Sequence, residues 1–320
     1  MDPIENPYTP GAGAPPPALT GRDQELRRFD VLANRVIAGR FEKSVLLTGL
    51  RGVGKTVLLN KFAGIAEERG FQVAFKEVTE GEAFPAALAR MVRRILLRLS
   101  PGARRRARVQ RALGVLRSFS IRFPEGQEIS LDVDAVAGIA DSGDLEEDLS
   151  ELLVELGEAA ADAGRGAFFF LDEIQYLRRE ELAALIAATH RLAQRMLPVA
   201  FVGAGLPQLP ALAGAAKSYA ERLFDIPSIG SLSSEASTEA LVRPARELGV
   251  EYNDAAVKEI LRRSEGYPYF LQEYGKHVWN LAERSPAKWV EWFFHSHPAI
   301  ARRVAAAEAW TKAQPSTKPM

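Results

Sequence analysis

The sequence predicts an α/β fold, in which a parallel sheet lies between two layers of helices and a smaller all-helical segment follows. Three observations support this three-layer α/β/α prediction. Short apolar runs alternate with stretches in which apolar residues recur at helical spacing. A glycine-rich loop separates the first apolar run from the next helical stretch. From about residue 231 onward the pattern is helical only.

The first elements follow one another in a regular order. A helix is predicted from Asp23 to Ala38, before a first strand over Ser44–Thr48. Helical spacing resumes after the glycine loop and stops near Gly70. The β-prone run Gln72–Phe75 predicts a second strand.

The middle of the chain combines a basic and an acidic stretch. Residues 86–117 predict a long helical stretch, broken near residues 100–102, that has no acidic residue. Its arginines are Arg90, Arg93, Arg94, Arg98, Arg104, Arg105, Arg106, Arg108, Arg111 and Arg117. Residues 119–123 and 129–133 alternate in polarity, which predicts a β-hairpin. Residues 141–158 predict an amphipathic acidic helix.

Two uninterrupted apolar runs, Ala167–Leu171 and Val199–Val202, predict central strands that are buried on both faces. In such sheets the ligand binds at the carboxyl ends of the strands. The last part of the chain predicts three helices, over residues 234–248, Asp254–Ser264 and 268–282.

We expect four segments along the chain. Residues 1–20 are rich in proline and glycine and predict an extended lead-in. Residues 21–230 form the α/β core and residues 231–283 a helical lid. Residues 284–320 form a tail with an aromatic cluster, for which core packing is favoured over partner docking. We expect the end of this tail to be disordered.

Composition excludes several classes of function. The 41 Lys and Arg residues balance 41 Asp and Glu residues, so no net field attracts nucleic acid or an anionic membrane. The absence of cysteine excludes disulfides and thiol chemistry. The first residues lack the pattern of a signal peptide, and no apolar run approaches the ~20 residues that span a bilayer. We therefore expect a cytoplasmic protein with no membrane partner.

The loop after the first strand carries the main chemical signal, because residues 49–56 fit the phosphate-binding pattern G-x-x-x-x-G-K-[ST]. The candidate binding residues are Gly49, Leu50, Arg51, Gly52, Val53, Gly54, Lys55, Thr56 and the adjacent Val57. Backbone N–H groups of such a loop cradle phosphate oxygens, and the helix N-terminus adds partial positive charge. Lys55 is predicted to reach the β- and γ-phosphates and the Thr56 hydroxyl to bind Mg²⁺. The sequence therefore predicts a nucleoside triphosphate site.

The pair Asp172-Glu173, directly after a buried strand, is the second signal. Buried carboxylates are costly without a partner, and Mg²⁺ would supply one for Asp172. Glu173 is predicted to accept a proton from, or polarise, the water that attacks the γ-phosphate. The alternative is that Asp172 caps a helix. The adjacent acid favours hydrolysis over phosphoryl transfer to a small molecule.

These motifs, together with the upstream residues 20–26, resemble AAA+ ATPases of the origin-recognition-like type, which overlap with the archaeal and bacterial ATPases near the STAND group. The resemblance covers about residues 20–283. It implies the strand order 5-1-4-3-2, with the phosphate loop after strand 1 and the acidic pair after strand 3. It also implies ATP as the nucleotide and places Gly21 and Arg22 near the adenine.

Two more positions rest on the same resemblance. The segment Lys217–Phe224 resembles the element that carries the arginine finger, which implies Arg222 as a residue acting on a neighbouring subunit's γ-phosphate. The alternative for Arg222 is an ion pair with Glu221 or another acid. The triplet at residues 266–268 resembles the G-x-P element of STAND-like ATPases, which implies that Pro268 faces the nucleotide. A helix stop and restart explains the same residues.

The chain also departs from this family pattern. The fourth strand ends in Gly203-Ala204-Gly205, without the polar sensor 1 residue, a role that Gln208 is one candidate to fill. No sensor 2 arginine is evident on the lid. The residues after the lid are too few for the winged-helix domain of many relatives. Slow hydrolysis is therefore expected.

Three functional hypotheses follow. The first is a Mg²⁺-dependent ATPase whose nucleotide lies between core and lid and which acts on a protein partner or on copies of itself. The second is a regulatory switch that holds ATP and turns it over slowly. The third, DNA-dependent assembly, is less favoured, because the arginine-rich stretch has no interleaved aromatic residues and the acidic helix can neutralise it.

Overall fold

The computed structural model of the chain describes residues 2–11, 13–99, 107–123 and 133–281. The described residues divide into two compact units, one within residues 22–230 and a smaller one that combines those before residue 22 with those from 231 to 281. The predictions for Arg104, Arg105 and Arg106, for most of the second hairpin strand and for the tail from residue 284 lie outside the described residues.

The larger unit is built on a five-stranded parallel sheet with the order β2-β3-β4-β1-β5. The strands are β1 (Ser44–Thr48), β2 (Gln72–Glu77), β3 (Ala167–Asp172), β4 (Val199–Gly205) and β5 (Phe224–Asp225). The α/β fold and the strand order are confirmed, since this order is 5-1-4-3-2 in the opposite direction. The carboxyl ends of β1, β3 and β4 therefore lie side by side at one edge.

Helices cover both faces of this sheet, as alternating strands and helices require. In the larger unit they are α1 (Asp23–Ile37), α2 (Lys55–Glu68), α3 (Phe84–Arg98), α4 (Ala107–Arg122), α5 (Leu145–Asp162), α6 (Arg179–Gln194), α7 (Leu209–Ala216) and α8 (Ala220–Leu223). The helices α1 and α2 pack with one face, and α3 to α6 form the main hydrophobic core with the other.

Three consecutive phenylalanines in β3 show why this strand is apolar throughout. Side chains alternate between the two faces of a strand. Phe168 therefore packs on Phe29 of α1, with ring centroids 5.3 Å apart. Phe169 points to the opposite face and stacks on Phe201 of β4 at 4.9 Å. All of these rings are buried.

The predicted hairpin after residue 118 is wrong in its first strand, because α4 continues to Arg122. In a strand, Phe119 and Ile121 would share a face, whereas Phe119 is fully buried and Ile121 is 63% exposed. Phe119 and Phe123 instead lie four residues apart on one helical side, with ring centroids 4.8 Å apart.

The acidic helix α5 neutralises part of the basic stretch. Arg108 Nη1 lies 2.6 Å from a carboxylate oxygen of Glu158, and Arg111 Nε lies 3.0 Å from Glu155. The alternative of charge pairing therefore holds for these two arginines.

The start of α5 is fixed by Asp144, whose carboxylate accepts the N–H groups of Glu146 and Glu147 in the first turn.

The smaller unit contains α9 (Ser234–Glu247), α10 (Asp254–Ser264) and α11 (Pro268–Leu281). The proline-rich lead-in takes part in its core through Tyr8, which is 2% exposed and donates a hydrogen bond to the Leu241 carbonyl. Burial raises the pKa of Tyr8 to about 12. Gly275 on α11 leaves room for this ring, because a Cβ there would lie 2.5 Å from Tyr8 Cδ1. The domain boundaries given above remain a prediction.

Among the described residues, no helix combines the length and the apolar character that a bilayer crossing requires.

Candidate phosphate and metal site

The phosphate loop joins β1 to α2 through backbone conformations that need glycine. Gly52 and Gly54 have φ values of +81° and +93°, in the left-handed region that other residues rarely adopt. Gly49 packs against the backbone of Ile229, where any Cβ would overlap the Ile229 carbonyl oxygen. Lys55 is the first residue of α2, so the N-terminus of this helix opens directly onto the loop.

Lys55 is held inside the loop. Its Nζ donates hydrogen bonds to the carbonyl oxygens of Gly49 (2.9 Å) and Leu50 (2.8 Å), and the residue is 5% exposed. Burial lowers the pKa of Lys55, against the charges of Glu173 and Asp172, which raise it. The two carbonyls are neutral acceptors, so phosphate oxygens would be stronger partners for the same ammonium group.

A short hydrogen bond connects the loop to the acidic pair. The Thr56 hydroxyl donates to Asp172 Oδ2 at 2.6 Å, and Asp172 Oδ1 accepts the N–H of Glu173 at 2.9 Å. Asp172 is 3% exposed at the carboxyl end of β3, and burial raises its pKa while these hydrogen bonds oppose the shift. The capping alternative does not hold, because a capping side chain accepts from N–H groups two or three residues ahead.

These oxygens fit Mg²⁺ chemically. Mg²⁺ prefers hard oxygen ligands and usually takes one or two carboxylates, with waters and substrate phosphates completing its shell. Thr56 and Asp172 offer a hydroxyl and a carboxylate that already touch. Within the described part of the chain, no cluster of three or more His, Cys, Asp or Glu side chains offers an alternative metal site.

Glu173 has a strained backbone and a defined side-chain partner. Its φ of +54° lies in the left-handed region, which is uncommon for a residue with a side chain and occurs often at functional sites. Its carboxylate accepts a hydrogen bond from the Gln175 side chain. Gln175 was not predicted from the sequence. Tyr176, in the same 3₁₀ turn, accepts a hydrogen bond from Arg51 of the phosphate loop at 3.1 Å.

Comparison with known families identifies this arrangement. Residues 18–202, more than half of the chain, match the AAA ATPase domain family. The chain belongs to the AAA ATPase domain family. The family resemblance inferred from the two motifs is thereby confirmed. No curated protein matches the chain.

Several solved structures are similar to this chain at low sequence identity. Orc1 of Aeropyrum pernix in complex with DNA is 18% identical, with a TM-score of 0.43, over 83% of this chain and 61% of that one. AMPPCP-bound DnaA from Aquifex aeolicus is 11% identical, with a TM-score of 0.47, over 91% and 68%. A mutant form of Thermotoga maritima RuvB is 19% identical, with a TM-score of 0.47, over 83% and 64%. The chain thus spans less than two thirds of the length of Orc1.

The other predicted nucleotide-binding residues of the AAA ATPase domain differ in how far they are exposed. Val53 is 2% exposed and Leu50 is 59% exposed, whereas Val57 is half-buried on α2. Arg22 is 7% exposed, and its Nη2 donates to the carbonyl oxygens of Val53 (3.0 Å) and Gly230 (2.6 Å). Burial lowers the pKa of Arg22, with Glu25 opposing the shift. The structure thus brings Arg22 to the phosphate loop.

Among the described residues, three predicted site residues make no recorded contact with the phosphate loop or with the pair Asp172-Glu173. Arg222 is exposed on α8, and across the described residues it has no ion pair with Glu221. Gly21 and Pro268 belong to the smaller unit. Gly21 packs close to α9, where a Cβ would lie 2.7 Å from Ala236 Cβ, and Pro268 is the first residue of α11. Their roles remain predictions.

Proposed function

We propose that this protein is a Mg²⁺-dependent ATPase that converts ATP and water to ADP and phosphate. The observation that carries the proposal is the direct hydrogen bond between Thr56 of the phosphate loop and Asp172 of β3. It joins the proposed triphosphate-binding loop to the proposed metal-binding carboxylate, with Glu173 as the next residue. Membership of the AAA ATPase domain family supports the same reaction.

Each residue has a proposed task. The backbone of residues 49–54 and the start of α2 bind the phosphates, and Lys55 exchanges its loop carbonyls for β- and γ-phosphate oxygens. Mg²⁺, held by Thr56 and Asp172, would neutralise charge on the phosphates. Glu173 accepts a proton from the attacking water while the oxygen of that water bonds to the γ-phosphorus. At the same time the bond between the γ-phosphorus and the β-γ bridging oxygen breaks. ADP leaves with that bridging oxygen.

Finer points of the proposal rest on the resemblance. Gly21, Arg22 and Pro268 are proposed to contact ATP, and Arg222 is proposed to act in trans on a second copy of the chain. ATP binding and release are proposed to move the helical lid and so to act on a macromolecular partner. The favoured partner is a protein or a further copy of the chain, in the cytoplasm.

Nucleotide turnover and binding test the proposal. Wild-type protein is expected to hydrolyse Mg²⁺-ATP, whereas Lys55→Ala is expected to abolish binding and Glu173→Gln to retain bound ATP without turnover. Lys61→Ala and Glu180→Gln are matched controls, because both residues are exposed. Full turnover by Glu173→Gln would contradict the role of Glu173.

A mixing experiment tests Arg222. If this arginine acts in trans, specific activity rises over a tenfold range of protein concentration. Inactive Arg222→Ala protein, whose own site is intact, should also regain turnover when mixed with Lys55→Ala protein, which still carries the arginine. Turnover that is independent of concentration and unaffected by mixing would exclude action in trans.

A slow regulatory switch is the second candidate. The observation that favours it is the end of β4, where Gly203, Ala204 and Gly205 offer no polar side chain to the site. A switch would retain ATP or ADP through purification and turn over faster only when a partner is added. Rapid turnover by the purified chain alone would contradict it.

DNA-dependent assembly is the least favoured candidate, because Arg108 and Arg111 pair with glutamates of α5. It predicts salt-sensitive DNA binding that is lost when Arg104, Arg105 and Arg106 are replaced by glutamate. No binding at low salt would exclude it.

A further inference from the structure

Gln175 has no assigned role in the mechanism above, although its side chain joins Glu173 to a neighbouring strand. Gln175 Nε2 donates a hydrogen bond to Glu173 Oε2, and Gln175 Oε1 accepts the backbone N–H of Leu206 at 3.1 Å. Leu206 directly follows β4. We propose that Gln175 is the positioning residue of Glu173, and that the glycines ending β4 make room for it. The proposal rests on the hydrolytic role proposed for Glu173.

The two partners fix the orientation of the Gln175 amide. A backbone N–H can only donate, so it requires the carbonyl oxygen of the amide. An ionised carboxylate can only accept, so it requires the amide nitrogen. Both requirements are met at once by the observed arrangement, and the reversed amide would meet neither. The carboxylate of Glu173 is therefore tied to the backbone at the end of β4.

The residues at the end of β4 explain how Gln175 reaches this position. A Cβ on Gly205 would lie 2.8 Å from Gln175 Oε1, and a Cβ on Gly203 would overlap the Ile174 side chain. A larger residue at either position would force the ends of these two side chains to move. The two glycines on this side of β4 thus give space to the side chains of residues 174 and 175.

The conformation of Glu173 makes such a tie useful. Its left-handed backbone turns the chain sharply at the end of β3, and the glutamate side chain has several rotatable bonds. A general base needs to be held close to its productive geometry, since an error of about 1 Å can reduce the rate about 100-fold. The hydrogen bond from the Gln175 amide, which is itself held by Leu206 N–H, limits the positions that the Glu173 carboxylate can take.

Gln208 supplies a natural comparison. It lies two residues beyond Leu206, next to α7, and its side chain is exposed. It makes no side-chain capping hydrogen bond to α7. Gln175 and Gln208 thus carry the same group near the same strand end, and the proposal assigns the positioning role to Gln175 alone.

The contact is tested first, without any need for turnover. Gln175→Glu keeps an acceptor for Leu206 N–H but places a second carboxylate against Glu173. It is expected to lower Tm by about 2–4 °C. The double variant Glu173→Gln/Gln175→Glu restores an amide–carboxylate pair with the polarity exchanged and is expected to recover most of that loss. Equal Tm values for wild type and Gln175→Glu would overturn the proposal.

The role is tested next by separating kcat from KM. Gln175→Ala and Gln175→Glu are expected to lower kcat about 10- to 100-fold, while KM and ATP affinity stay within about 3-fold of wild type. Gln194→Glu, at an exposed glutamine of α6, is the matched control and is expected to keep wild-type kcat. Unchanged kcat in both Gln175 variants, with the contact demonstrated, would overturn the positioning role.

Glycine substitutions test the space argument. Gly205→Ala is expected to lower kcat, and combining it with Gln175→Ala is expected to give less than the product of the two separate losses, because both remove the same contact. Gly214→Ala on α7 is the control, since a Cβ there meets nothing within 4 Å. Multiplicative losses would contradict the assignment of Gly205. A wild-type protein that binds ATP without turnover would refute the proposed hydrolysis, whereas the Tm comparison would still decide whether Gln175 holds Glu173.

Discussion

Arg22 offers a quantitative test of how the phosphate loop is supported. The residue is 7% exposed, and its Nη2 donates to the carbonyl oxygens of Val53 and Gly230. Replacing Arg22 with alanine removes both hydrogen bonds and the packing of the buried arginine stem. The variant Arg22→Ala should therefore destabilise the larger unit and loosen the phosphate loop.

The size of this effect follows from the two contacts. A hydrogen bond from a charged donor contributes about 1.5–3 kcal/mol to the free energy of unfolding. The Val53 contact is buried, whereas the Gly230 contact is partly buried, so water can replace part of the second. We expect a total loss of about 2–4 kcal/mol, which corresponds to a fall in Tm of about 4–16 °C.

Thermal unfolding followed by far-ultraviolet circular dichroism measures this loss, and an ATP titration measures the loop. ATP affinity should fall together with stability, since the Val53 carbonyl belongs to the loop. Arg27→Ala is the matched control, because Arg27 is exposed on the same helix and its Nε donates a long hydrogen bond, 3.4 Å, to the Asp23 carbonyl. The expected loss lowers the Tm of Arg22→Ala by at least about 4 °C, because each kcal/mol shifts Tm by about 2–4 °C. A Tm for Arg22→Ala within about 1 °C of that for Arg27→Ala would therefore refute the supporting role of Arg22.

Three further predictions concern the metal site, the core and the smaller unit. For Thr56→Ala, the rise in Tm that ATP induces should no longer depend on Mg²⁺, which is checked by measuring Tm with and without EDTA. If the variant kept the same dependence on Mg²⁺ as the wild type, pairing of Thr56 with Asp172 at the metal would be contradicted. Phe168→Ala should lower the free energy of unfolding by about 3–5 kcal/mol in urea, because the ring is fully buried; a loss under about 1 kcal/mol would contradict the packing argument. Glu259 has its pKa lowered to about 2, first by the hydrogen bond from Arg262. A depressed carboxyl pKa stabilises the fold above the unfolded value of about 4.3 and ceases to do so as the pH falls towards 2, so wild type and Glu259→Gln should differ in stability at neutral pH and converge in acid.

The local sequence was enough to predict the central strands of the core and the phosphate loop of the site. The uniform apolar run in β3 predicts burial on both faces, and Phe168 and Phe169 pack on opposite sides of the sheet as expected. The glycine loop with Lys55 and Thr56 is a contiguous motif, so its geometry follows from a few neighbouring residues. The strand order came from the resemblance, because pairing between distant segments leaves no local pattern.

The errors and omissions have physical causes as well. Phe119, Ile121 and Phe123 alternate with polar residues, but the pattern also suits the last turns of α4, where tertiary packing decides. β5 has only two residues, too few for a periodic signal. Tyr8 lies in an irregular segment, and its burial depends on the space left by Gly275 on α11 rather than on its sequence neighbours.

The end of β4 shows that residue identity alone does not give the arrangement of a site. From the sequence, Gly203 and Gly205 indicate a missing polar group, and slow hydrolysis follows from that interpretation. In the structure the same glycines are positions where a Cβ would collide with Ile174 and Gln175. A side chain from the turn after β3 occupies the space that a side chain from β4 would fill, and it brings an amide to Glu173. A polar amide thus reaches the end of β4 from a neighbouring turn, and the glycines of β4 leave room for it.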